Sequence, residues 1–291
     1  MEHSFKHQVG LLCVILLFPA LCSCHEFVTN SRASYYNTPD GLGNPRGACG
    51  YGEYGRTLNY GNVAAVSGLW RNGAGCGACY WVRCKVAKYC GNGVQVVATD
   101  SGAGDRTDFI MSKHAFSGLG RNPGASKELL KQGVVDITFK RVPCAYPGNI
   151  KLRVQESSKN PGYFAVLILN VNGVNDITAV EMWQRGQKRW EPLRRVYGTV
   201  FDFANPPSGE IRLRFQVGYK YWLLSNTLVP ANWKAGAIYD TKARAGCTEI
   251  REVAMPGGLT YLKWACSDLT RSQWAECNCF GEDHFVDAAT P

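Results

Sequence analysis

Short alternations of apolar and polar residues, broken by glycine and proline, run through most of the chain. Between 63 and 142 they read VAAVSGLW, CYWVRC, VQVVATD and VVDITFKRV, each bounded by turn residues. Alternation over a few residues predicts half-buried strands. The one helical candidate is ASKELLKQ, 125–132. Many short strands with glycine turns over 25–144 predict a small closed barrel. CAYPGN then ends the first region, and 145–149 reads as a linker. Alternation resumes over 150–243 in KLRVQE, ITAVEMWQ, TVFDF and IRLRFQV, while YFAVLILNV is a more continuous buried run. The turn signals NPG, NGVND, RGQ and NPPSG separate these runs, which is the pattern of a β-sandwich.

Both ends depart from this pattern. Residues 1–24 carry basic residues, the apolar run GLLCVILLFPAL and the small residues of CSC. That is a secretory signal, too short for a membrane span, with cleavage expected near Cys24–His25. The mature protein is therefore expected outside the cell. Residues 244–291 have weak periodicity, four cysteines and an acidic end. A disulfide-bonded extension, a gene-model artefact and a disordered appendix compete there. Low order and no functional site are expected.

Cysteine usage agrees with secretion. Of 13 cysteines, six fall at Cys49, Cys76, Cys79, Cys84, Cys90 and Cys144, and none between 145 and 246. An even set in a secreted domain reads as a disulfide framework, with 15 pairings open to six cysteines. Cys76 and Cys79 have zinc-ligand spacing but lack a second spaced pair or a nearby histidine pair, so no metal is expected. No cofactor is expected either. The formal charge of +9 favours anionic surfaces, among them acidic polysaccharide. No Asn-x-Ser/Thr sequon occurs, so N-glycosylation is not expected.

The chemistry centres on TDSGAGDRTDFIMSKHAF, 99–116, which holds Asp100, Asp105 and Asp108. Paired carboxylates are the tool of glycoside hydrolysis. Asp105 sits in SGAGDR and reads as an exposed turn residue. His114 has no nucleophile partner at a recognisable spacing. Oxidised cysteines leave no thiolate to act as one.

The runs GACGYG, GCGACYWVRC, VVATD, SKHAF, VVDITFKRVPC, NPGYFAVLI and VPANWKAG stand together in an order that resembles a plant expansin. AVEMWQ, RRVYG and the altered acidic loop look most like the expansin-like B group. The resemblance covers roughly residues 30–243. It implies a mainly β chain: a six-stranded double-psi β-barrel like that of family-45 glycoside hydrolases, then an immunoglobulin-like β-sandwich that binds carbohydrate. It also implies the pairs Cys49–Cys76, Cys79–Cys144 and Cys84–Cys90.

Thr99–Asp100 matches the family's Thr-Asp pair. Anchoring on Ser112 and Ala115–Phe116 places the family's His-Phe-Asp triplet on Asp108–Phe109–Ile110. Ile110 thus stands where the hydrolases keep their general acid, and it cannot donate a proton. Asp108 lies two residues upstream on the same side of a strand, about 6–7 Å from that place. ASYYNTPDG, 33–41, matches the family's Ala-Thr-Trp-Tyr-Gly start.

The resemblance therefore implies a glucan groove at Ser34, Tyr36, Asp100 and Asp108. The family's aromatic platform falls on Tyr163 and Tyr197. Alternation from Val180 and Met182 turns Trp183 outward as a third candidate. Trp190 and Trp233 are expected in the core. Lys188, Arg189, Arg194 and Arg195 are expected around the platform. The expected function is a non-enzymatic, monomeric plant cell-wall protein that binds cellulose, xyloglucan or acidic pectin and loosens glucan contacts without hydrolysis. Nucleic acid is not an expected partner. The alternatives are a family-45-type endoglucanase, which Ile110 opposes, and a barwin-like defence protein, which the second domain opposes.

Overall fold

The computed structural model describes residues 27–102, 107–184, 186–218 and 221–245, and short strand segments outside them. The chain divides into two compact units, Glu26–Cys247 and the two ends taken together. In the second unit Cys22–Ser23 pairs with Asn278–Cys279, and Glu249–Ala254 with Thr260–Ala265. The expectation of low order over 244–291 otherwise falls outside the described residues.

Within Glu26–Cys247, six strands close a barrel: β1 (Val28–Tyr36), β2 (Val63–Val66), β3 (Cys79–Cys84), β4 (Val94–Ser101), β5 (Thr107–Ser112) and β6 (Val134–Val142). Their order around the barrel is β1-β5-β2-β4-β3-β6. β1 runs parallel to β5 and β2 parallel to β4; the other neighbours are antiparallel. The inward residues of each alternation make the core. Phe109 meets Phe139 at 5.0 Å and Tyr80 at 5.5 Å, edge to face. The helix read at 125–132 begins at Pro123 and ends at Gln132. Asn122 caps it by accepting from the Ala125 amide, and Pro123 occupies its first turn.

Three disulfides join Cys49 to Cys76, Cys79 to Cys144 and Cys84 to Cys90. These are the pairs implied by the resemblance.

Nine further strands form two packed sheets. They are β7 (Lys151–Val154), β8 (Tyr163–Leu169), β9 (Ile177–Gln184), β10 (Arg189–Pro192), β11 (Arg194–Tyr197), β12 (Val200–Ala204), β13 (Leu213–Val217), β14 (Tyr221–Leu224) and β15 (Ile238–Asp240). One sheet runs β11-β12-β8-β7-β15 and the other β10-β9-β13-β14. Phe164, Val166 and Ile168 of the first meet Val180, Met182, Leu213 and Phe215 of the second. Trp233 is buried in this core, as the sequence suggested.

The barrel and the five-stranded sheet share a third core. Leu167, Leu169 and Val200 pack against Cys49, Tyr51, Leu58, Val63 and Val97. Asp176 accepts from Arg71 at 2.6 Å and from Arg141 at 3.1 Å, tying the sandwich to the barrel. Gly198 is the tightest point. A β carbon there would stand 2.5 Å from the Cys49 carbonyl oxygen and 2.6 Å from that of Ala48. Only glycine lets the two backbones meet so closely.

Candidate functional site

Strand pairing sets one row of residues across four barrel strands. Ser34 on β1 faces Ile110 on β5, Ile110 faces Ala65 on β2, and Ala65 faces Asp100 on β4. Tyr36 lies two residues beyond Ser34, opposite Ser112. The row has a carboxylate at one end, a hydroxyl at the other and an apolar middle. Gly102 lies over that middle: a β carbon on it would come within 2.9 Å of Ile110 Cδ1 and 3.0 Å of Ala65 Cβ.

Asp100 is held firmly. Its Oδ1 accepts from the Ala48 amide at 2.7 Å and the Ser101 amide at 2.8 Å. Its Oδ2 accepts from Asn44 Nδ2 at 2.9 Å. The carboxylate therefore staples the 44–48 loop onto the end of β4. Gly47 permits this approach, because a β carbon there would lie 2.6 Å from the Thr99 carbonyl oxygen. The Tyr36 hydroxyl is buried beside Asp100 and the Asn44 backbone, without a hydrogen-bond partner among the described residues. Burial first, and the negative charge of Asp100 as well, push its pKa up to about 12. It stays a neutral hydroxyl at any physiological pH.

Asp108 shares the outward side of β5 with Ile110, since Phe109 and Met111 between and beyond them are buried. Its neighbour, just past the end of β2, is Ser67, whose amide donates to the Asp108 carbonyl. Two strand spacings and two residues separate it from Asp100, roughly 12 Å between Cα atoms. Asp105 lies outside the described residues.

On the sandwich, Tyr163 donates its hydroxyl to Asp202 at 2.8 Å. Arg194 grips the same carboxylate with two bonds, 3.0 and 2.7 Å long. Asp202 is only 4% exposed, covered by these two side chains. Arg194, and then Tyr163, hold its pKa below the ordinary carboxylate value against the opposing pull of desolvation. Tyr197 is 48% exposed. Its ring rests on Gly50, where a β carbon would meet Cε2 at 2.8 Å. Gly50 follows Ala48 and Cys49, and the Ala48 amide holds Asp100. The barrel row and the tyrosines of the five-stranded sheet are thus joined through one short loop.

Comparison with known proteins decides the family. The Expansin C-terminal domain model matches residues 150–230, and a barrel model described as Lytic transglycolase matches 62–139. Expansin-like B1 of Arabidopsis thaliana is 51% identical over 248 residues, 83% of this chain and 98% of that protein. The chain belongs to the expansin superfamily, in its expansin-like B group. Expansin-like B1 of Oryza sativa subsp. japonica is 41% identical, across 83% of this chain and 97% of that one. Among solved structures, the apo Clavibacter michiganensis expansin superposes with a TM-score of 0.59 at 22% identity, over 75% of this chain and 98% of that one. At that identity the likeness is one of fold. A mutant of the same bacterial expansin matches equally well, in a structure described as a complex with cellohexaose.

The expansin frame does not gather every candidate. Ser34, Tyr36 and Asp100 come together on one side of the barrel, and Tyr163 and Tyr197 on one face of the five-stranded sheet. Trp183 does not join them. It stands on β9, in the other sheet, with its ring 5.3 Å from that of Trp190. Trp190, expected in the core, is half-exposed on that same outer face. The basic cluster also divides. Arg189 pairs with Glu191 on the four-stranded sheet. Arg195 turns inward to the carbonyls of Gly198 and Ile177, over the Phe201 ring. Arg194 stays on the face of the five-stranded sheet that carries Tyr163 and Tyr197, bound to Asp202. Asn44, Gly50 and Asp202 were missed in the sequence. Each acts through a contact far along the chain, and no local motif marks such contacts.

Proposed function

We propose that this expansin-like protein acts outside the cell, in the plant wall, by holding a polysaccharide chain along the strip from Ser34 and Tyr36, past Asp100, to Tyr197 and Tyr163. The observation that carries the reading is the seat of the Tyr197 ring on Gly50, two residues from the amide that holds Asp100. It makes a polar cleft and an aromatic platform neighbours. Sugar rings present apolar C–H faces to aromatic side chains and hydroxyls to polar ones. Tyr36 walls the strip beside Asp100, with its neutral hydroxyl turned into the barrel. Asp108 extends the polar edge. Tyr163 is fixed by Asp202, so little side-chain entropy is lost when a chain lies on it.

Hydrolysis is not part of the proposal. An inverting mechanism needs a protonated and an ionised carboxyl about 6.5–9.5 Å apart. The row offers Ile110 at the acid's place, and both Asp100 oxygens already accept hydrogen bonds. Holding a separated glucan chain better than a packed one lowers the free energy of separation, and no bond needs to break. Cellulose and xyloglucan need only the rings and hydrogen-bonding groups of the strip. Acidic pectin would add contacts to the basic surface.

Depletion of the purified protein onto cellulose tests this. Replacing Tyr197 with Ala removes a stacking ring and is expected to weaken adsorption about tenfold. Adsorption unchanged in the Tyr163→Ala, Tyr197→Ala double variant would sink the reading.

A further inference from the structure

The outer face of the four-stranded sheet carries a set of side chains with no role in the strip just described. Alternation buries Val180, Met182, Leu213, Phe215 and Val217 on its inner side. The register then places Trp183 beside Trp190, Glu181 beside Arg214, and Gln216 beside Trp222 on the outside. Arg214 binds Glu181 through Nε at 2.6 Å and Nη2 at 2.5 Å. Its guanidinium lies 4.5 Å from the Trp190 ring centre and 4.3 Å from that of Trp222. The ion pair therefore fixes the cation, and the cation fixes both rings, whose centres lie within about 9 Å of each other. Trp222 is 39% exposed and Leu224 beside it 41%.

We propose that this face is a second polysaccharide-binding surface, taking a β-linked glucan chain across Trp183, Trp190, Arg214 and Trp222. Three features select such a ligand. Fixed rings alternate with planar polar groups, Glu181, Arg214 and Gln216, and sugars need both at once. The charges among the rings are paired, Arg214 with Glu181 and Arg189 with Glu191, so the part of the face that carries the tryptophans does not depend on an ionic partner. Four strands span about 15 Å, room for roughly three sugar rings. A stable protein partner would need about 800 Å² on each side, several times this footprint.

The Tyr163–Tyr197 strip lies on the opposite sheet of the sandwich. The domain would therefore hold two chains at once, one on each side. A chain bound on one side raises the effective concentration of the protein at its neighbour.

Calorimetric titration with cellohexaose tests the surface on the full chain. The wild type is expected to take two hexasaccharides. Trp222→Ala, made on an edge strand with the ring outside the core, is expected to leave one. The Tyr163→Ala, Tyr197→Ala variant is expected to keep one, and cellohexaose should still shift the Trp222 indole resonance in that variant. That shift reports the site even where a substitution perturbs folding. A single site in the wild type, lost with the two tyrosines and untouched by Trp222→Ala, overturns the proposal, as does an unmoved Trp222 resonance. Retention of all binding in the tyrosine variant, with loss in Trp222→Ala, would defeat the strip while upholding this face.

Discussion

Removing the Asp100 carboxylate tests whether it is a structural staple as well as a wall of the cleft. Asp100→Ala deletes three accepted hydrogen bonds, from Ala48, Ser101 and Asn44. Bonds to a charged group contribute about 1.5–3 kcal/mol each when shielded from water. Asp100 is half-exposed, and water can serve some of the freed donors, so about 1 kcal/mol each is the fairer figure. The expected loss is about 2–4 kcal/mol. For a unit of this size each kcal/mol lowers Tm by about 2–4 °C. Asp100→Asn keeps one acceptor oxygen but turns an amide toward the Asn44 amide, and should lose about 1–2 kcal/mol. Urea unfolding gives both values. Hydrogen exchange at the Ala48 amide gives the local one, with protection lost in Asp100→Ala and largely kept in Asp100→Asn, whose oxygen still accepts from Ala48. A change under 0.5 kcal/mol for Asp100→Ala, with Ala48 still protected, would refute the staple and leave Asp100 a surface group.

Other consequences follow from the same contacts. Gly50→Ala puts a β carbon against Tyr197 at a residue with φ +82°, so it should cost about 1–3 kcal/mol and weaken cellulose adsorption together; normal adsorption would dissociate the ring from the platform. Arg194 lowers the Asp202 pKa in the folded state, so its stabilisation is complete above the ordinary value of 3.8 and lost as pH falls through the lowered one. The stability gap between wild type and Asp202→Asn, read by denaturation from pH 7 to pH 2, should therefore be largest near neutrality and close at the acid end; a gap that grows on acidification would contradict the network. Chain-entropy arithmetic gives about 4 kcal/mol for Cys79–Cys144, separated by 65 residues, and about 2 kcal/mol for Cys84–Cys90, separated by 6. Paired Cys→Ala variants should keep that order in unfolding experiments.

Much of this architecture is legible in the chain. The alternation in VQVVATD and VVDITFKRV marks β4 and β6, and the cysteine-free run after 145 marks a separate sandwich. What alternation does not contain is the sheet to which a strand belongs. Trp183 was correctly turned away from the core, yet it lies on the sheet opposite Tyr163, because a two-residue period fixes a side and not a partner. The helix Glu53–Thr57 is too short to show a helical period. Asn44 meets Asp100 across 56 residues, and Gly198 meets Cys49 from the other domain. Such long-range contacts depend on closure of the barrel and docking of the sandwich, which local pattern cannot encode. The cysteine pairs became legible only through the family resemblance, since spacing alone left every pairing open.

The claim on which the account rests is that the Asp100 row binds glucan without cleaving it. Heat-inactivated wall strips held under constant load, in a bath assayed for reducing sugar, test it most directly. Extension on adding the protein, with no sugar released above the buffer control, is the expected result. Sugar release that grows with time and disappears in Asp100→Asn would contradict it, and would make Asp100 a working catalytic group despite Ile110 at the acid's place.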